Sequence, residues 1–270
     1  MSNVMWDAPE LAERYDRVSD IQFRSGSLLV GRMGVKDGDD VLDVGCGTGR
    51  LALHVSQIVG PAGSVTGIDP SPHRIRVAES KLNSGAYPNV RCMIGQGEDM
   101  VFLPVSAFDH LYYSSVFHWI EDKATALREA YRVLKPGGAV GMTTVDRSHM
   151  YAMRQMWEKV LDGKQHGQVN MGQDMSKLLV SSDELDGLLH TTGFVGIDIR
   201  LVPEKHYYRS AIEFIEFIEA SSFGNFLRQV PGHIRTQIID DMGVELEKRR
   251  TDAGIELESS TMFAIARKPC

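Results

Sequence analysis

The chain has 270 residues, 43% of them hydrophobic, and a formal net charge of −7 at pH 7, so it is long enough for one large α/β domain with a well-buried core. The acidic balance and the lack of a long basic run argue against a nucleic-acid partner; no apolar run approaches the ~18 residues of a membrane span, and the early acids Asp7, Glu10 and Glu13 argue against a signal peptide. The three cysteines are widely spaced with no C-x-x-C, which points to a reducing, cytoplasmic location and to no structural metal.

Strand-like and helix-like segments alternate through the first half, the pattern of a parallel α/β sheet. Strands are expected at residues 40–44, 64–68, 89–94, 108–113 and 139–145, with helices at 50–59, 72–84 and 123–134 between them. The last of these helices runs into Lys135-Pro136-Gly137-Gly138, a stop signal. In the second half, helices are expected at 150–161, 182–192, 210–220 and 234–249, and strands at 194–201 and 261–267. The two helices between the last strands form a small cap over the sheet edge. The charge cluster Lys248-Arg249-Arg250 follows Glu245 and Glu247 and reads as a solvated face.

The most informative stretch is Val41-Leu42-Asp43-Val44-Gly45-Cys46-Gly47-Thr48-Gly49. An apolar strand ends in an acid, and three glycines follow at alternate positions. Glycine has no Cβ, so backbone there adopts unusual dihedrals and approaches a ligand closely. The helix that follows offers free N–H groups at its start. The dinucleotide fingerprint G-x-G-x-x-G/A fits Gly45 and Gly47 but not Arg50, and the third glycine comes one residue early, at Gly49. The spacing leans away from a nicotinamide-dependent oxidoreductase.

It resembles motif I of the class I S-adenosylmethionine (SAM) methyltransferases, and the order of later signals resembles that family over nearly the whole chain. The resemblance implies a Rossmann-like fold: a mostly parallel seven-stranded sheet, helices on both faces and a small helical cap. As one methyltransferase domain, residues 1–35 form an N-terminal lid, 36–147 the SAM-binding core and 148–270 the rest of the sheet, with the cap at about 203–255.

The resemblance also implies a site. Asp43, Gly45, Cys46, Gly47 and Gly49 belong to the glycine loop. Asp69, in Gly67-Ile68-Asp69-Pro70-Ser71, takes both ribose hydroxyls, two donors for two carboxylate oxygens. Pro70 follows it. In Gly95-Gln96-Gly97-Glu98-Asp99, Gln96 stands where the family usually has an aspartate for the adenine amino group; Gly97 and Glu98 supply backbone contacts, and Asp99 is an alternative acid. Tyr113 and Ser114 correspond to the polar pair beside the methionine end, with a departure at Tyr113. The leading helix closes over the cofactor through Tyr15. His118 is the candidate base or hydrogen-bond donor for the acceptor, and it stands with Tyr15 as the catalytic pair.

Methyl transfer from a sulfonium needs alignment and desolvation more than it needs a metal, and no metal-ligand spacing is present. The segment from Ala211 to Leu227 resembles the cap of trans-aconitate, malonyl-carrier-protein and juvenile-hormone-acid methyltransferases. A small-molecule carboxylate is therefore the first-ranked acceptor, giving a methyl ester and S-adenosylhomocysteine. Trp157, Tyr207, Tyr208, Phe223 and Phe226 are candidates to line its pocket, and Arg209 or Arg228 to hold its charge. A C- or N-methyltransferase of an aromatic or quinone-like substrate is the alternative, and a non-catalytic SAM-binding protein is a further one.

Overall fold

The computed structural model describes residues 7–83, 85–149, 156, 159–160, 178–221, 227 and 230–270. The N-terminal helices α1 (Pro9–Val18) and α2 (Asp20–Met33) precede β1 (Asp40–Val44), α3 (Arg50–Val59), β2 (Ser64–Asp69), α4 (Pro72–Leu82) and β3 (Val90–Ile94). Then come β4 (Phe108–Ser114), a 3₁₀ turn at Phe117–Trp119, α5 (Lys123–Val133), β5 (Leu134–Val145) and α6 (Ser182–Thr192). The chain ends with β6 (Val195–Tyr208), α7 (Ala211–Ser221), α8 (Gly232–Glu247), β7 (Arg250–Thr251) and β8 (Gly254–Arg267).

The strands make one sheet in the order β3-β2-β1-β4-β5-β8-β6, with β7 folding back on β8. The first five are parallel, and β8 runs antiparallel between β5 and β6. Strand order reverses between β1 and β4, so a crevice opens at their carboxyl ends, where open α/β sheets hold ligands. Side chains alternate across the strands. Val41, Val65, Tyr112 and Ala139 pack with α2 and α3 on one face. Leu42, Ile68, Leu111, Tyr113 and Val140 pack with α5 and α6 on the other.

Helix ends follow local chemistry. Ser181 caps α6 in a reciprocal pair with Glu184, and the Asp122 carboxylate caps α5 by accepting from Thr125 N–H at 2.9 Å. The expected helix at 150–161 falls mostly outside the described residues, and within it Met156, Lys159 and Val160 are helical.

The sheet departs from expectation at its antiparallel side. An eighth strand, β7, adds a two-residue hairpin arm. The strand expected at 194–201 continues to Tyr208, and its partner starts at Gly254 rather than at residue 261. Pro203 stands opposite Ser260 in β6, the edge strand of the sheet, where proline is tolerated. Within the bounds expected for the cap, 203–255, the described helices are α7 and α8. Phe214 and Tyr208 pack ring against ring at 5.0 Å inside this region, with Ile238, Met242 and Ile255 around them.

Candidate active site

The glycine turn after β1 has the conformation its sequence demands. Gly45, Gly47 and Gly49 have φ of 78°, 54° and 80°. At Gly45 a Cβ would lie 2.3 Å from Val116 Cγ2, so the loop after β4 presses directly on it. The turn is anchored to β2 by Gly45 and Cys46 N–H, which donate to Ile68 O at 2.7 and 3.0 Å.

A cavity of about 310 Å³ lies above the sheet. The carboxyl end of every parallel strand reaches it: Val44 and Gly45 from β1, Asp69 and Pro70 from β2, Gly95 after β3, Ser114 and Ser115 from β4, and Val145 from β5. Tyr15, Gln96, Gly97, Glu98 and His118 complete the set of candidates it brings together. A second cavity of about 40 Å³ adjoins it, lined by Asp43, Gly45, Cys46, Gly47, Thr48 and Arg50. Tyr15, Gln22, Gly45 and Ser114 line both.

Asp69 is 2% exposed, and each carboxylate oxygen already accepts one backbone hydrogen bond: Oδ1 from Ser71 N–H at 2.8 Å, Oδ2 from Gly47 N–H at 2.9 Å. Burial raises its pKa, against the opposing pull of Arg74. Asp43, on the α2/α3 face, accepts from Tyr112 Oη at 2.8 Å, and burial pushes its carboxyl up to about 7. Tyr15 is half-buried over the glycine turn, its Cε1 3.5 Å from where a Gly47 Cβ would stand, and desolvation raises its pKa. His118 Nδ1 faces Thr144 Oγ1 at 3.3 Å. Burial, with the Lys123 ammonium nearby, brings its imidazole down to about 4, so it is neutral at pH 7.

The N-terminal helices are clamped to this loop. Thr48 Oγ1 donates to Asp16 Oδ1 at 2.6 Å, and Lys81 also pairs with Asp16. Arg50 reaches Asp16 O, Ser19 Oγ and Asp20 Oδ1 at 3.1, 3.1 and 2.7 Å. The residue that breaks the dinucleotide fingerprint therefore fastens the covering helices.

Three candidates lie elsewhere. Tyr113 lines neither cavity: its hydroxyl donates to Ala126 O at 3.1 Å, its ring packs on Phe117, and its Cε1 lies 3.3 Å from where a Gly97 Cβ would stand. Strand alternation sets this, because Tyr112 and Ser114 take the other face. Gly49 is the N-cap of α3, with Ala78 3.0 Å from its missing Cβ, and lines neither cavity. Asp99 is exposed, its backbone turned onto Gln96. Of the acceptor-pocket candidates, Tyr208 is in the cap core, Tyr207 is exposed and bonded to Glu256, and exposed Arg209 pairs with Glu213. Trp157, Phe223, Phe226 and Arg228 lie outside the described residues.

Gln22, Arg74, Val116, Trp119, Ile120 and Glu121 line the large cavity and were not singled out as binding residues from the sequence. Arg74 follows Asp69 closely in the first turn of α4, and Val116 to Glu121 follow β4, so their place after strand ends was the available signal. Gln22 Oε1 is buried with no hydrogen-bond partner among the described residues. An unmet buried acceptor at the junction of two cavities suits a ligand that brings donors.

Residues 10–169, more than half of the chain, match the model of the ubiE/COQ5 methyltransferase family. The chain belongs to that family. It is thus a class I SAM-dependent methyltransferase, and its cofactor is S-adenosylmethionine. Similar proteins include the demethylmenaquinone methyltransferase of Geobacillus sp. (strain WCH70), 27% identical over 71% of this chain and 88% of that protein. The enzyme of the same name from Staphylococcus aureus (strain Newman) is 29% identical over 70% and 84%. Among solved structures, a putative methyltransferase from Bacillus halodurans superposes with a TM-score of 0.62, at 17% identity, over 92% of this chain and all of that one. The methyltransferase's site fits its cofactor: a buried carboxylate for a vicinal diol, a glycine turn without Cβ atoms at Gly45, Gly47 and Gly49, and an unmet acceptor. No helix among the described residues is long and apolar enough to cross a membrane.

Proposed function

We propose that this methyltransferase methylates a ring carbon of a quinol-type aromatic acceptor. The observation that carries the reading is the alignment with enzymes named demethylmenaquinone methyltransferases over most of their length. This ranks the alternative reading of the sequence above carboxylate esterification.

The electrostatics of the cavity support the same order. Asp69, Glu98 and Glu121 line it, against Arg74 as the one Lys or Arg among the described lining residues. The Arg74 guanidinium is already stacked on Tyr15 and bonded to Ala220 O. A carboxylate acceptor meets excess negative charge there, whereas a neutral aromatic ring meets Val116, Trp119, Ile120 and Val145.

When bound, the cofactor supplies a methyl group on a sulfonium, already activated for in-line displacement. The protein's part is to align and to dry the site, and near-attack alignment alone is worth roughly 7–11 kcal/mol. Asp69 and the glycine turn would hold the nucleoside, and Tyr15 would close over it as a neutral phenol. His118, unprotonated, accepts a hydrogen bond from the quinol O–H and so raises electron density on the adjacent ring carbon. A ring carbon methylated in this way would lose its own proton to water, restoring the aromatic ring.

The test is turnover. The protein is incubated with S-adenosylmethionine and, separately, a short-chain demethylnaphthoquinol, its oxidised quinone and a panel of small carboxylic acids. S-adenosylhomocysteine should form with the quinol and not with the quinone or the acids. Turnover of the acids without turnover of the quinol would overturn the reading.

A further inference from the structure

Arg74 is 4% exposed, and nothing in the established chemistry uses it. Burying a guanidinium costs several kcal/mol unless partners replace its water. Among the described residues its partners come from both the N-terminal segment and α7. The guanidinium sits 4.1 Å from the centre of the Tyr15 ring on α1. Nη2 donates to Ala220 O at 2.9 Å, in the last turn of α7, where unpaired carbonyls and the helix dipole favour a cation. Nε lies 3.9 Å from Asp7 Oδ2, and Asp7 also bonds Ser71 Oγ.

Both segments wall the cavity, through Tyr15 and Ser221. The base of the tie is equally placed. Arg74 N–H donates to Ser71 Oγ at 3.1 Å, and Ser71 N–H fixes Asp69 Oδ1. Withdrawing either wall leaves the buried guanidinium without one of its partners, so each wall is held in part by the other.

We propose that Arg74 is a positioning residue that ties Tyr15 and the end of α7 to the Asp69 end of β2, so that both walls close over the bound cofactor as one unit. This rests on the cofactor and not on the identity of the acceptor, so it stands or falls separately from the quinol reading. Its consequence is a slow step for ligand escape. Stacking and hydrogen bonding must break together before either wall opens.

Hydrogen exchange and rapid-mixing binding test it, with S-adenosylhomocysteine as the probe and the wild type, Arg74→Met and Arg74→Lys compared. In the wild type the probe should slow exchange in α1 and in the last turn of α7 together. Arg74→Met should lose that protection in both segments, with dissociation about tenfold faster and association within about threefold. Arg74→Lys keeps the charge and should recover most of the slow dissociation. Should Arg74→Met not fold, Tyr15→Leu removes the ring beneath the guanidinium and should loosen the last turn of α7 as well as α1. Loss of protection in one segment alone would overturn the tie. So would slower association at an unchanged dissociation rate, which would make Arg74 a charge that attracts the ligand.

Discussion

Gly47 N–H donates to Asp69 Oδ2 at 2.9 Å, so the glycine turn after β1 and the acid ending β2 are one hydrogen-bonded unit. The second oxygen is held by Ser71 N–H, which fixes the carboxylate plane toward the cavity. Asp69→Ala should weaken S-adenosylhomocysteine binding by more than about tenfold, or 1.4 kcal/mol, with the fold retained. Calorimetric titration alongside thermal unfolding checks both, and an unchanged affinity would remove Asp69 from the site.

Tyr113 offers the converse. Its hydroxyl serves the core through Ala126 O, so Tyr113→Phe should leave cofactor affinity unchanged and cost about 1 kcal/mol of stability. Denaturant unfolding measures the cost. A large loss of affinity would place this side chain in the site after all.

His118 is held neutral down to about pH 4, so it should add no inflection to the pH profile of turnover between about pH 5.5 and 8. His118→Ala should keep cofactor affinity and lower turnover. Full activity in that variant would leave the side chain a structural neighbour of Trp119.

Asp43 is an acid with a raised folded pKa, from 3.8 to about 7. The folded state then holds a proton that the unfolded state has released. Its contribution to stability is present below about pH 4 and is lost as pH rises through 7, on the order of 1–4 kcal/mol. Urea unfolding of the ligand-free protein at about pH 5 and pH 7.5 should show a larger drop for the wild type than for Asp43→Asn, which keeps an acceptor for Tyr112 without the ionisation. Equal drops would mean that Asp43 is already ionised in the folded chain.

The parallel half of the fold was legible because each strand ends in a turn or an acid and each helix carries an amphipathic face: β1, β2, α3 and α6 fall where the residues put them. The antiparallel edge was less so. Ile255 and Leu257 alternate with Glu256 and Glu258 as strand residues do, but the partner that gives the alternation its meaning, the far end of β6, lies about 50 residues earlier in the chain. That the glycine turn and Asp69 meet was legible, because both follow the ends of neighbouring strands. Tyr113 stands in the motif beside Ser114, but side-chain parity decides which face a strand residue takes, and Ser114 alone of the two lines the cavities. Arg74 and Gln22 stayed hidden, since their roles arise from segments distant in sequence that meet only in the folded chain.

The central claim is that the methyl group goes to carbon. The most direct measurement uses S-adenosylmethionine labelled with ¹³C in its methyl group, a demethylnaphthoquinol acceptor and ¹³C NMR of the product before and after alkaline treatment. The account predicts an aryl-methyl resonance that survives base. A base-labile methoxycarbonyl resonance, obtained from a carboxylic acid acceptor while the quinol stays unlabelled, would contradict it.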